Sequence, residues 1–327
     1  MWLNIVNSIG ISLAIFFLIV FLLVIIPPIG SQDFTQKGLE FSEQKQRVDE
    51  LVDLDSYVAR DGTELSYRYY SAETKTILIL LHGSGWHSRY LSRMGQYLSS
   101  NNLAQVYTPD LRGHGESPRR RGDIDYLGQF EDDIADLVSE IKTESPSVSI
   151  LLAGHSSGGG LALRIAGGRY KESFDGYLLL APFLKYNAPT TRPNSGGWAQ
   201  PFTRRIIGLE ILNSIGITAF NYLDVIRFNF PQHLRDGTET DTYTYQLNKS
   251  YAPLDYERDL QTIRKPLKVI VGASDEAFYA EQFAPVIEQF SQGDLVVIPE
   301  VGHLDIVEND EVLGEIKEWL ESKELPR

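Results

Sequence analysis

The sequence predicts an α/β fold: a mainly parallel, doubly wound sheet with an inserted helical cap, preceded by an N-terminal transmembrane helix. Three observations carry this. Short apolar runs recur at Ile77 to Leu81, Val106 to Tyr107, Val148 to Leu152, Tyr177 to Leu180, Leu267 to Val271 and Leu295 to Ile298, nearly continuous as strands covered on both faces should be. Helical patterns lie between several of them, and that alternation implies a parallel sheet. One interval of about 80 residues, between Ala181 and Leu267, breaks the alternation, is too long for a plain loop and carries its own apolar content.

Taking the elements in order, Ile9 to Ile26 runs 18 residues without a charge. At 1.5 Å per residue this is about 27 Å of helix, close to a bilayer's hydrocarbon thickness. No Lys or Arg precedes it, and Pro27-Pro28-Ile29-Gly30 stands where a small-residue cleavage site would be needed, so an uncleaved anchor over 1–30 is expected, with a cleaved signal peptide as the rival. Lys37, Lys45 and Arg47 follow among several acids and leave the side of the membrane undecided. Residues 31–54 are polar, without a sustained pattern, and read as a connector to a domain over 55–327. Ser56 to Ala59 and Glu64 to Tyr70 flank Arg60-Asp61-Gly62-Thr63, which predicts an antiparallel hairpin. Leu127, Phe130, Ile134, Leu137, Val138 and Ile141 form one helical face, and Val312, Leu313, Ile316, Trp319 and Leu320 form another. Between them the cap, at about 185–264, holds Trp198, Phe202, Ile206, Ile207, Ile211 and Leu212 and is expected to be mostly helical.

Composition narrows the function. Of 327 residues, 43% are hydrophobic and 23% charged, which excludes a disordered or low-complexity chain. A net charge of −14 has the wrong sign for tracking phosphate backbones, so no nucleic-acid partner is expected. The absence of cysteine removes disulfides, thiolate metal sites and cysteine nucleophiles.

Gly154-His155-Ser156-Ser157-Gly158 follows the strand ending at Leu152 and precedes a small, helix-compatible run. This is GxSxG in a strand-turn-helix context, where a sharp turn lifts the Ser156 hydroxyl clear of the backbone. A hydroxyl is a poor nucleophile until a base removes its proton, so a histidine and an orienting acid are required. Of His82, His87, His114, His155, His233 and His303, only the last two follow Ser156, as the order Ser, acid, His demands. His303 lies directly after the last strand and is the expected base, whereas His233 lies inside the cap. Asp275 ends the preceding strand and is the expected acid, with Glu276 as competitor, more blandly a helix-start charge. The oxyanion needs amide donors, which should be Ser157 and, in the loop His82-Gly83-Ser84-Gly85-Trp86, Ser84 or its alternative Gly85.

With His82-Gly83, the elbow and Asp110-Leu111-Arg112-Gly113-His114-Gly115-Glu116-Ser117, which matches a DxRGHGxS stretch, the chain resembles an α/β-hydrolase of the monoacylglycerol lipase and lysophospholipase type from about Tyr57 to Leu320. It departs at Ser157, where many relatives have Met, in a cap without an alignable motif, and in its anchor. The resemblance implies a serine triad, no metal or other cofactor, and a cap that shapes an acyl pocket. The expectation is a membrane-anchored serine hydrolase of carboxylic esters, acting on monoacyl lipids through an acyl-enzyme. A serine aminopeptidase of the same fold is the alternative, although its DQRGxGRS-like stretch differs from Asp110 to Ser117. A non-catalytic binding protein is a third reading, for which loss of a triad member would be the mark. Arg119-Arg120-Arg121 reads as a solvated loop or, less simply, a contact for lipid headgroups.

Overall fold

The computed structural model describes residues 2–26, 39, 51–116 and 118–322. Most of the connector expected over 31–54, and Ser117 of the DxRGHGxS stretch, lie outside them.

The strands are β1 (Leu54–Val58), β2 (Glu64–Tyr70), β3 (Thr76–Leu81), β4 (Gln105–Pro109), β5 (Ser149–His155), β6 (Gly176–Leu180), β7 (Ala199–Pro201), β8 (Asp224–Phe228), β9 (Thr242–Thr244), β10 (Leu267–Gly272) and β11 (Asp294–Ile298). Eight form one sheet in the order β1-β2-β4-β3-β5-β6-β10-β11. The β1–β2 and β2–β4 pairs are antiparallel; from β4 to β11 every neighbouring pair is parallel. This is the α/β-hydrolase architecture. The continuous apolar runs explain it, because Ile77 to Leu81, Ile150 to Ala153, Tyr177 to Leu180 and Val269 to Val271 are all buried, as only a sheet covered on both faces allows.

The helices are α1 (Trp2–Ile25), α2 (Ser92–Ser100), α3 (Gln129–Glu144), α4 (Ser157–Gly167), α5 (Thr203–Ser214), α6 (Tyr245–Tyr251), α7 (Tyr256–Thr262), α8 (Phe283–Phe290) and α9 (Asp310–Glu321). The buried face of α3 is Phe130, Ile134, Leu137, Val138 and Ile141. Leu127, expected to share it, is excluded and 45% exposed, because Gly128 at φ 97° turns the chain before the helix begins. In α9 the expected Val312, Leu313, Ile316 and Trp319 are buried.

The segment between β6 and β10 contains α5, α6 and α7, of 12, 7 and 7 residues, so helix covers the smaller part of a cap expected to be mostly helical. It also contains a three-stranded antiparallel sheet, β7-β8-β9, that the apolar pattern does not announce. Its strands are three to five residues long, too short for alternation to register. Over Asn4–Ile25, α1 is long and apolar enough to cross a membrane. Its last turns meet the inserted segment, where Val20 and Val24 join Leu209, Leu212, Val225 and Tyr245 in a second, smaller core.

Candidate active site

The site is assembled at the C-terminal ends of β3, β5 and β10 and in the loop after β11. At the turn from β5 into α4, Ser156 has φ 55° and ψ −119°, a conformation a side chain rarely adopts. The neighbours hold it there: Ser156 N–H donates to the Leu180 carbonyl at 2.9 Å, and the Ser156 carbonyl accepts from Phe183 N–H at 2.9 Å and Gly160 N–H at 3.0 Å. Only glycine fits on either side. A Cβ at Gly154 would collide with the Gly158 carbonyl, and one at Gly158 with the carbonyls of Leu81 and His82.

Ser156 Oγ lies 3.0 Å from His303 Nε2, and His303 Nδ1 lies 2.8 Å from Asp275 Oδ2. Because the carboxylate can only accept, Nδ1–H donates to it and Nε2 is left to accept the serine proton. The other oxygen, Asp275 Oδ1, accepts from Ala277 N–H at 2.8 Å and Phe278 N–H at 2.7 Å, which fixes the carboxylate plane. Glu276 does different work, its Oε2 accepting from the backbone N–H of His303 at 2.8 Å. No helix begins at Glu276, so the helix-dipole reading is corrected: Asp275 caps the turn that follows, and Glu276 reaches the histidine loop. Asp275 and His303 are each 2% exposed and Ser156 8%, so the array is shielded from bulk water.

The loop after β3 is held by two matching relays. Gly83 N–H donates to the Tyr90 hydroxyl at 2.6 Å, which lies 2.9 Å from His155 Nδ1; His155 Nε2 lies 3.0 Å from the His303 carbonyl. Since a carbonyl only accepts, Nε2–H donates and Nδ1 takes the tyrosine proton. Burial, with His303 adjacent, holds His155 well below the usual histidine range and so neutral, as the relay requires. In the second relay Gly85 N–H donates to the Tyr243 hydroxyl, which lies 2.7 Å from His114 Nε2, while His114 Nδ1 donates to the Arg112 carbonyl at 3.1 Å. His114 is likewise pushed well down, first by burial and then by His82. The amides on both sides of Ser84 are thus occupied. Among the described residues Ser84 N–H has no acceptor, and neither has Ser157 N–H, the first amide of α4. Of the two expected alternatives, the Gly85 amide is engaged and the Ser84 amide is not.

The inserted segment closes over this loop. Trp198 Nε1–H donates to Ser84 Oγ at 3.0 Å, and Trp198 packs against Phe228 and Phe230 at ring separations of 5.4 and 4.8 Å. His233 lies apart, exposed on the turn 232–234. Arg120 pairs with Asp123 and Asp125, and Arg121 donates to the Thr238 carbonyl, so two of the three arginines of the basic run bind partners within the chain. Tyr90, Tyr243 and the clamp by Glu276 were not read from the sequence. Tyr243 lies 158 residues from Gly85, with no local pattern to connect them.

A family model described as serine aminopeptidase, S33, matches residues 72–310. The monoglyceride lipase of Rattus norvegicus is 28% identical over 165 residues, 50% of each chain, so the chain spans about half the length of that relative. The human monoglyceride lipase is 27% identical over 232 residues, 68% of this chain and 73% of that protein. A soluble variant of monoglyceride lipase from Saccharomyces cerevisiae, solved with a substrate analogue, superposes with a TM-score of 0.64 at 17% identity, covering 89% of this chain and 100% of that one.

Proposed function

From the premise that the chain belongs to the serine aminopeptidase S33 family of α/β-hydrolases, we propose that it is a membrane-anchored serine hydrolase cleaving carboxylic esters of monoacyl lipids. One observation carries the reading: the continuous chain from Ser156 Oγ through His303 to Asp275, beside two unoccupied amides. Ser156 Oγ attacks the ester carbonyl carbon while His303 Nε2 takes its proton. The oxyanion receives the N–H groups of Ser84 and Ser157. The C–O bond then breaks, protonated His303 returns the proton to the departing alcohol, and an acyl group remains on Ser156. Water, deprotonated by His303, attacks the acyl carbon, the bond to Ser156 Oγ breaks, and His303 returns the proton to Ser156 as the acid leaves. Side chains and amides of this chain, with water, supply every group the scheme needs.

The substrate class rests on Trp198, Phe228 and Phe230, apolar surfaces over the oxyanion loop, and on the names of the monoglyceride lipase relatives. An aminopeptidase would need a carboxylate free to bind the substrate ammonium. Of the carboxylates in the inserted segment, Glu210 pairs with Lys249, Asp236 with Arg89, and Glu239 and Asp241 share Arg235, so these four are engaged by cations of the chain itself. The proposed organisation is an anchor over 1–30, a connector over 31–54, and a hydrolase domain over 55–327 with its cap at about 185–264.

The test is a series of esters assayed below their micelle thresholds. A buried methylene is worth about 0.8 kcal/mol, so each two carbons enclosed raise kcat/KM about tenfold, from acetyl to at least octanoyl. A flat or falling profile removes the lipid reading and leaves the serine hydrolase; preferential release of N-terminal residues from amides favours the aminopeptidase.

A further inference from the structure

The contact between α1 and α5 fixes the depth at which the inserted segment meets the membrane. Val24 and Leu23 sit over Gly208, where a Cβ would come within 2.7 Å of Val24 Cγ2 and 3.1 Å of Leu23 Cβ; only glycine admits the helix this closely. Arg205 Nε–H donates to the Val24 carbonyl at 2.9 Å, satisfying an acceptor that the helix end leaves open. Asn4–Ile25 is 22 residues long, and at 1.5 Å per residue about 33 Å, which fills a hydrocarbon core of about 30 Å. The part that touches α5, Val20 to Val24, is therefore the last stretch before the bilayer surface, and α5 lies at the same depth.

The chain is adapted to that depth. From Ile211 to Leu223, thirteen residues in a row carry no charge, in a sequence that is 23% charged. Within this stretch Leu212 belongs to the second core and Ile211, Phe220 and Leu223 pack against it, but Ile215 is 53% exposed, Ile217 37% and Tyr222 58%. Its two carboxamides are paired with each other: Asn213 Nδ2 donates to Asn221 Oδ1 at 2.7 Å and Asn221 Nδ2 to Asn213 Oδ1 at 2.9 Å. Ser214 Oγ donates to the Ile211 carbonyl at 2.7 Å. Strongly polar groups that would be costly to remove from water thus have protein partners, while Ile215 and Ile217 stay exposed. Scattered exposed apolar residues need no explanation, but a continuous uncharged stretch beside the end of a membrane-length helix does.

We propose that Ile211 to Leu223 is a second membrane attachment, inserted into the leaflet in which α1 ends and holding the cap against the lipid surface. The proposal rests on the anchor reading of α1. Interfacial elements of this kind sink about 5–10 Å into the headgroup and acyl boundary, the zone that the last two turns of α1 occupy. Ile215 and Ile217 face the acyl chains there, and Tyr222 the headgroups.

Because the chain has no cysteine, single-cysteine variants of the full-length protein report position cleanly. Ile217→Cys carries an environment-sensitive fluorophore in phosphatidylcholine vesicles, with Val58→Cys and Val297→Cys, exposed on the two edge strands, as references. Brominated acyl chains should remove most of the emission at position 217 and leave the references unchanged, with hydrolysis of a soluble short ester unaltered. An unquenched probe at 217 in protein that resists alkaline carbonate extraction overturns the proposal and leaves the anchor standing. Protein that carbonate removes overturns both. Quenching lost because position 217 is covered by a second copy, detected by cross-linking in the vesicles, also overturns it.

Discussion

Asp275 and Glu276 are adjacent carboxylates that the fold gives unlike tasks. Asp275 meets the imidazole and Glu276 the backbone of the same histidine. The first task was legible in the sequence, because a strand end places a side chain at the edge where the histidine loop must also lie. The second was not, since it depends on how the chain turns after Asp275. If the proposed roles hold, Asp275→Asn, which disturbs the tautomer of His303, should lower kcat/KM by about 10³–10⁴. Glu276→Gln keeps an amide oxygen able to accept from His303 N–H, and its loss should be about tenfold or less. Steady-state kinetics of the two variants on one ester, with thermal unfolding to verify folding, checks both; equal losses would contradict the division of work.

Among the elements, those whose hydrophobic period or run length is strong could be read in advance. The parallel strands inside the sheet are buried on both faces, unlike the edge strand β11, and the faces of α3 and α9 are covered by the core, so burial wrote their pattern into the sequence. The strand β9 is three residues long and owes its place to partners far away, and no pattern of its own reveals it. Yet through Tyr243 it reaches the loop after β3. Tyr243→Phe leaves the Gly85 amide buried without an acceptor, a cost of about 1–3 kcal/mol, and frees the loop that holds Ser84. The expected result is a fall in kcat of about tenfold, near 1.4 kcal/mol of barrier, with KM little changed. A rise in KM alone would mean that Tyr243 shapes the pocket rather than the loop.

At the scale of the whole molecule, buried histidines set the response to acid. Burial pushes His82 down to about 4 and holds His114 and His155 well below their usual range. The unfolded chain takes up these protons near pH 6.5, whereas the native protein does not, so this contribution to stability is complete above that pH and is lost as pH falls toward 4. Burial also pushes Asp133 and Asp259 up to about 6, and these act in the opposite sense, retaining protons that the unfolded chain releases. Burial lowers His87 as well and raises Glu140 and Glu308; because the unfolded histidines titrate inside the window from pH 7 to pH 5, the four histidines dominate there and urea midpoints should fall, whereas a flat profile would contradict the neutral-histidine relays. The docking of α1 on the cap, through residues 181 positions apart, is likewise a property of the whole chain that no segment discloses. The proposal that Ser156 is an activated nucleophile is tested most directly by covalent labelling with a fluorophosphonate, followed by mass spectrometry of the modified peptide. The label should sit on Ser156, vanish in Ser156→Ala and nearly vanish in His303→Ala; labelling that persists in Ser156→Ala, or that maps to another residue, would contradict it.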